Sequence, residues 1–123
     1  MSDRSITGVS HLELHVSDVA ASTDWYKSAV GLAVLRTAPG DRVILKAPNS
    51  HFRLILCPDR PADAHGEFGH VAFSVESMDV LESWAKHLDE VGVPYKGIKE
   101  NPTGYTIDLV DPDGHDVELA YEL

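Results

Sequence analysis

The feature that most constrains this chain is an internal repeat, which sets the plan of the whole fold before any single residue is read. Ser10-His11-Leu12-Glu13-Leu14-His15-Val16 and Gly69-His70-Val71-Ala72-Phe73-Ser74-Val75 are both strand-like, with a histidine at the same place. A polar cap follows each, Ser17-Asp18 in the first copy and Ser77-Met78-Asp79 in the second. A helical pattern comes next, with Trp25 and Trp84 each 14 residues beyond its histidine, and Gly31 and Gly92 close the two helices. The apolar stripes are Val19, Ser22, Trp25-Tyr26 and Ala29-Val30 in one helix and Val80-Leu81, Trp84, Leu88 and Val91 in the other. Both stripes read as core, while Glu82, Lys86 and Glu90 face outward.

Three shorter strand candidates follow each helix: Ala33–Arg36, Val43–Ala47 and Phe52–Cys57, then Tyr95–Lys99, Tyr105–Val110 and Val117–Tyr121. Turn chemistry separates them, as in Ala38-Pro39-Gly40-Asp41, Pro48-Asn49-Ser50, Asn101-Pro102-Thr103-Gly104 and Asp111-Pro112-Asp113-Gly114. The expected organisation is two βαβββ modules, about 8–57 and 67–121, joined by a polar, proline-bearing linker over 58–66. Neither module covers its own helix face, so the two must pair within the chain or across two chains.

Length and charge narrow the function classes. A chain of 123 residues can bury a core without disulfides. Its 10 Lys and Arg against 20 Asp and Glu give a net charge of −10, which argues against nucleic acid and anionic membrane as partners. No apolar run reaches the roughly 18 residues of a spanning helix. The first residues carry no export signal, and the lone Cys57 fits a reducing cytoplasm.

Strand alternation then decides which side chains share a face. With Leu12, Leu14 and Val16 turned to the helix, His11, Glu13 and His15 lie on the open face. In the second module His70, Ala72 and Ser74 share that face with Thr106, Asp108 and Val110 and with Asp116, Glu118 and Ala120. Two imidazoles and a carboxylate on neighbouring strands are the donor set of a facial triad with open positions for substrate. Strand histidines that are merely solvated or hydrogen-bonded satisfy the same pattern.

These residues resemble the vicinal oxygen chelate superfamily: glyoxalase I, extradiol dioxygenases, fosfomycin-resistance proteins and bleomycin-binding proteins. The likeness runs from about Val9 to Tyr121. It rests on His11–Asp18 with Trp25-Tyr26 and Gly31-Leu32, on Gly69–Val75, and on Asp111-Pro112-Asp113-Gly114-His115-Asp116-Val117-Glu118-Leu119. The resemblance implies an α+β fold: a curved, partly open mixed sheet of two βαβββ modules around a metal site, helices outside. It places His11, His70 and Glu118 at the metal-ligand positions, for one divalent ion of iron, manganese, nickel or zinc.

Aligning Pro48–Leu54 on Pro112–Glu118 puts Leu54 where glyoxalase I has a fourth ligand, and Asp108 stands where extradiol and fosfomycin enzymes carry a tyrosine. Bleomycin-type binders usually lack the ligands that this chain keeps.

The expectation is therefore a metal-dependent enzyme of the glyoxalase or dioxygenase type. It would act by isomerisation, lyase or oxygenation chemistry on a small organic substrate with vicinal oxygens. The bound ion would stabilise charge developing on oxygen, with Glu13, then Asp108, then His15 as candidate base. A homodimer is expected, as in small members of the family. The alternative is a drug-binding resistance protein that performs no chemistry, and a third reading is a metal-free structural dimer. His115, in its turn, reads as structural, and His51, His65 and His87 as surface residues. Phe52, Leu54 and Leu56 are candidates for an apolar cavity wall, and Lys96 or Lys99 for contact with an anionic group.

Overall fold

A computed structural model describes residues 4–61 and 70–123. Most of the linker (62–66, with His65), the start of the second module through Gly69, and Met1–Asp3 lie outside the described residues. The first module consists of β1 (His11–His15), α1 (Val19–Val30), β2 (Ala33–Ala38), β3 (Arg42–Lys46) and β4 (Arg53–Cys57). The second is β5 (Val71–Ser74), α2 (Met78–Val91), β6 (Lys99–Asn101), β7 (Gly104–Val110) and β8 (Asp116–Glu122). The sequence repeat is thus a structural repeat. Each module forms its own four-stranded mixed sheet, ordered β1-β4-β3-β2 and β5-β8-β7-β6, and the first strand of each runs parallel to the last.

The helices begin and end where local chemistry dictates. The Asp18 carboxylate accepts from the Ala21 N–H and the Ser77 hydroxyl accepts from the Val80 N–H, each satisfying a backbone donor that the first turn leaves open. Gly31 and Gly92 take φ values of 68° and 74° at the C-caps, a left-handed conformation that glycine adopts at least cost. Of the second stripe, Leu81 and Leu88 are buried, whereas Val80 and Val91 remain substantially exposed. Helix α2 thus seats a narrower face than its apolar pattern suggests.

Most strand ends shift by a residue or two from the sequence reading, and two departures go further. Residues 95–98 are not strand, and β6 begins only at Lys99. Pro94 has no N–H to give a ladder and Gly97 sits at φ 91°, so the chain joins the sheet only after both. In β2 the register against β3 slips between Val34 and Arg36, a bulge that leaves Leu35 as the extra residue.

Both modules turn their helix-side residues into one core, including Leu14, Val16, Tyr26, Leu54 and Leu56 from the first and Leu81, Leu88, Ile107, Leu109 and Leu119 from the second. The opposite faces of the two sheets lie outside this core. No described helix is long and apolar enough to cross a membrane.

Candidate functional site

The modules are fastened by a polar hub. Asp111, buried at the β7–β8 turn, accepts the Tyr26 hydroxyl from α1 at 2.7 Å and the backbone N–H groups of Asp113 and His115 at 2.9 Å. Burial, and then the adjacent Asp111 carboxylate, push the Tyr26 hydroxyl's ionisation far upward, so it remains a donor. The Asp113 carboxylate accepts the Ser17 hydroxyl at 2.6 Å and lies 3.8 Å from the Arg60 guanidinium. His115 is buried here, as its structural reading implied. His87 differs from its reading as a surface residue: it is half-buried, and its Nε2 donates across the helix pair to the Ser28 carbonyl at 2.6 Å.

Elsewhere the modules part. A cleft of about 790 Å³ lies between them, walled by Leu12, Leu32, Phe52 and Leu54 on one side and Val71 and Phe73 on the other. Phe52 and Phe73 meet edge to face across it, ring centres 5.9 Å apart. Phe52 and Leu54 were legible as cavity wall, whereas Leu56 sits fully in the core. Phe73 and Val71 were legible only as helix-side residues. That β5 is a sheet edge bordering the gap has no signature in strand periodicity.

The residues expected to form a metal centre do not assemble. His11 begins β1 in the first sheet, its Nδ1 2.9 Å from the Ser10 hydroxyl. His70 precedes β5 in the other sheet, with its Nε2 3.5 Å from the Glu118 carboxylate. His11, in the first sheet, does not join that pair. Among the described residues no group of three or more His, Cys, Asp or Glu could hold a metal ion. This overturns the expected divalent cofactor, and with it the metal-dependent lyase, isomerase or dioxygenase reading.

The candidate bases are likewise dispersed, each beside a cationic or ionisable partner. Glu13 lies 3.7 Å from Arg42, Asp108 accepts from Lys99 at 3.2 Å, and the exposed His15 bonds Asp59 at 2.9 Å. The His15 hydrogen bond, ahead of a backbone one, holds the Asp59 carboxyl below the usual carboxylate range. Cys57 is buried as a small hydrophobe; burial, then the nearby Glu13, push its thiol up and away from nucleophilic use.

The ladder also corrects the alignment between modules. Glu13 pairs with Ile55 as Ala72 pairs with Glu118, so Ile55, not Leu54, occupies the position equivalent to Glu118. The substituted position is apolar either way. Around Glu118 the second sheet's outer face forms a smaller pocket of about 370 Å³, lined by His70, Ala72, Lys99, Thr106 and Ala120. The buried Thr106 hydroxyl has no partner among the described residues.

Comparison with known proteins follows the same architecture. The metallothiol transferase FosB of Bacillus licheniformis is 32% identical over 126 residues, covering 97% of this chain and 78% of that protein. A glyoxylase/bleomycin resistance protein/dioxygenase domain from Frankia sp. EAN1pec superposes with a TM-score of 0.80 at 27% identity, over 97% of this chain and 100% of that one. TnmS3, an antibiotic binding protein from Streptomyces sp. CB03234, gives 0.81 at 24% identity, over 98% and 100% of the two chains. Residues 8–119 match the family model as well, and the chain belongs to the glyoxalase/bleomycin resistance protein/dioxygenase superfamily.

Proposed function

We propose that the protein binds a small, largely apolar organic molecule in the cleft between its modules and performs no chemistry on it. The cleft itself carries this reading. At about 790 Å³ it lies within the size range of drug-like ligand sites, and its walls are mostly aliphatic and aromatic. Asn49, Ser50, Ser74 and His70 supply the few polar groups that can orient a guest. The fold it shares with the antibiotic binding protein TnmS3 supports the same reading by analogy.

The test is a titration with the neutral aromatic dye Nile red, followed by competition with a library of aromatic drug-like molecules. The expected result is saturable binding in the micromolar range, weakened about tenfold or more by Phe73→Ala, with bound compounds recovered chemically unchanged. Absence of any saturable ligand, or turnover of a bound one, overturns the proposal.

The proposal extends to a homodimer in the cytoplasm. Strands β1, β2, β5 and β6 end their sheets as edges, and a second copy is one means of covering such edges. The lone, buried Cys57 suits a reducing compartment. Light scattering that returns only monomer defeats the dimer.

A further inference from the structure

The register of the first sheet gathers positive charge on its outer face. Lys46 and Arg53 are direct cross-strand partners, so their side chains rise side by side. Arg42 lies on the same face, confirmed by its approach to Glu13 at 3.7 Å. Arg36 joins them through the bulge. Before it, Val34 opposes the core-facing Leu45; after it, Arg36 opposes Ile44, which lies two residues from Lys46 on the outward set. Were Leu35 paired in regular alternation instead of bulged out, Arg36 would turn to the other face.

Four of the chain's 10 Lys and Arg thus share one face of one sheet in a protein of net charge −10. Glu13 is the single carboxylate within the strands of that face, and Arg42 engages it. Arg36 and Arg53 are exposed and have no side-chain partner among the described residues.

Like charges placed directly opposite on neighbouring strands weaken a sheet, and the usual remedy is an interleaved carboxylate. Here that remedy is missing where Arg53 meets Lys46. Departures of this kind from a local rule are expected at functional sites. We infer that the outer face of the first sheet is a binding site for a small organic oxyanion, a carboxylate or a phosphate ester. Arg36 and Arg53 grip its oxygens in bidentate fashion, and Lys46 adds a point charge.

Strand spacing sets the scale: neighbouring strands lie about 4.8 Å apart, and successive outward residues about 6.8 Å apart. The cationic patch therefore spans a single small molecule. A nucleic acid or an anionic membrane would extend past it onto a surface whose net charge repels polyanions. The site is separate from the apolar cleft, which opens on the helix side of the same sheet.

Titration of the full-length protein with phenylphosphate and with benzoate, followed by calorimetry and amide chemical shifts, tests this. Benzamide serves as the uncharged control. Expected is saturable binding of at least one anion, with shifts centred on β3 and β4 and none from benzamide; which anion binds more tightly identifies the headgroup. Arg53→Gln and Arg36→Gln each weaken it by about tenfold or more, while Lys86→Gln on α2 leaves it unchanged. All three positions are exposed, and unchanged circular dichroism and melting verify that the variants fold. Failure of both anions to saturate, binding that survives both arginine substitutions, or a response to duplex DNA or phosphatidylserine vesicles alone overturns the inference.

Discussion

The two modules share a backbone plan and differ in almost everything that plan leaves free. Their ladders can be laid over one another residue by residue. The helix-side set stays apolar in both: Leu12 answers Val71, Leu54 answers Val117, and Leu56 answers Leu119. On the outer face Arg53 stands where the second module has Asp116, Ile55 where it has Glu118, Ile44 where it has Asp108, Arg42 where it has Thr106, and Lys46 where it has Val110. One outer face is cationic, and the other carries Asp108, Asp116 and Glu118 with Lys99. Inward residues answer to a shared core and cannot diverge without opening voids. Outward residues answer only to solvent and ligand.

The sharpest way to break the likeness is at the hairpins that join the second and third strands of each module. A Cβ on Gly104, held at φ 152°, would run into the backbone oxygen of Tyr121, whereas one on Gly40 meets nothing within 4 Å. Gly104→Ala is expected to cost more than about 3 kcal/mol in chemical denaturation, and Gly40→Ala about 1 kcal/mol from its positive φ alone. Equal losses would mean that the two hairpins are interchangeable.

The turns before the last strands come next. Asp111→Ala removes the buried acceptor of three hydrogen bonds, one of them from the other module, and is expected to cost about 3 kcal/mol. Asn49→Ala, in the exposed counterpart turn, should stay within about 0.5 kcal/mol.

The helix ends give a smaller contrast. Both C-cap glycines have positive φ, but only at Gly31 would a Cβ meet a neighbour, the Trp84 ring, at 3.0 Å. Gly31→Ala should therefore exceed the roughly 1 kcal/mol expected for Gly92→Ala, and melting temperatures of the pair would show it.

The smallest effect is a titration shift at the end of β1. The folded carboxyl of Asp59 titrates below its unfolded value. Its contribution is thus fully present above the unfolded carboxylate pKa of about 3.9 and is lost as pH falls through the lower folded value. In His15→Ala the Asp59 resonance, followed by NMR, should titrate at a higher pH, nearer that unfolded value. No shift would assign the depression to the backbone bond that accompanies the His15 contact.

The repeat, both helices and most strands could be read from the sequence because their signals are local. Asp18, Ser77, Gly31 and Gly92 each do their work within one turn of chain. Side-chain parity was legible for the same reason, and it placed His11, Glu13, His70 and Glu118 on outer faces correctly. Parity says nothing about how two sheets sit in space, and there the metal centre failed: His11 belongs to one sheet, His70 and Glu118 to the other, and the described residues bring no three such groups together. The slip at Leu35 was also hidden, since nothing in Val34-Leu35-Arg36 announces an extra residue. Alignment by turn residues missed Ile55 by one position, because the two turns before the last strands are not spaced alike relative to the ladder.

That slip at Leu35 reaches beyond this one molecule. Strand β2 is an edge, paired on one side only, so gaining or losing a residue there disturbs a single ladder and leaves the rest of the sheet in place. The bulge takes up the extra residue, so Arg36 and the residues after it keep the faces that a strand without Leu35 would give them. Insertions are usually the harshest of mutations, yet here an added residue disturbs one rung of one ladder and leaves the other side chains on their own faces. A lineage carrying this scaffold can therefore change the length of this edge without rewriting what the face attracts.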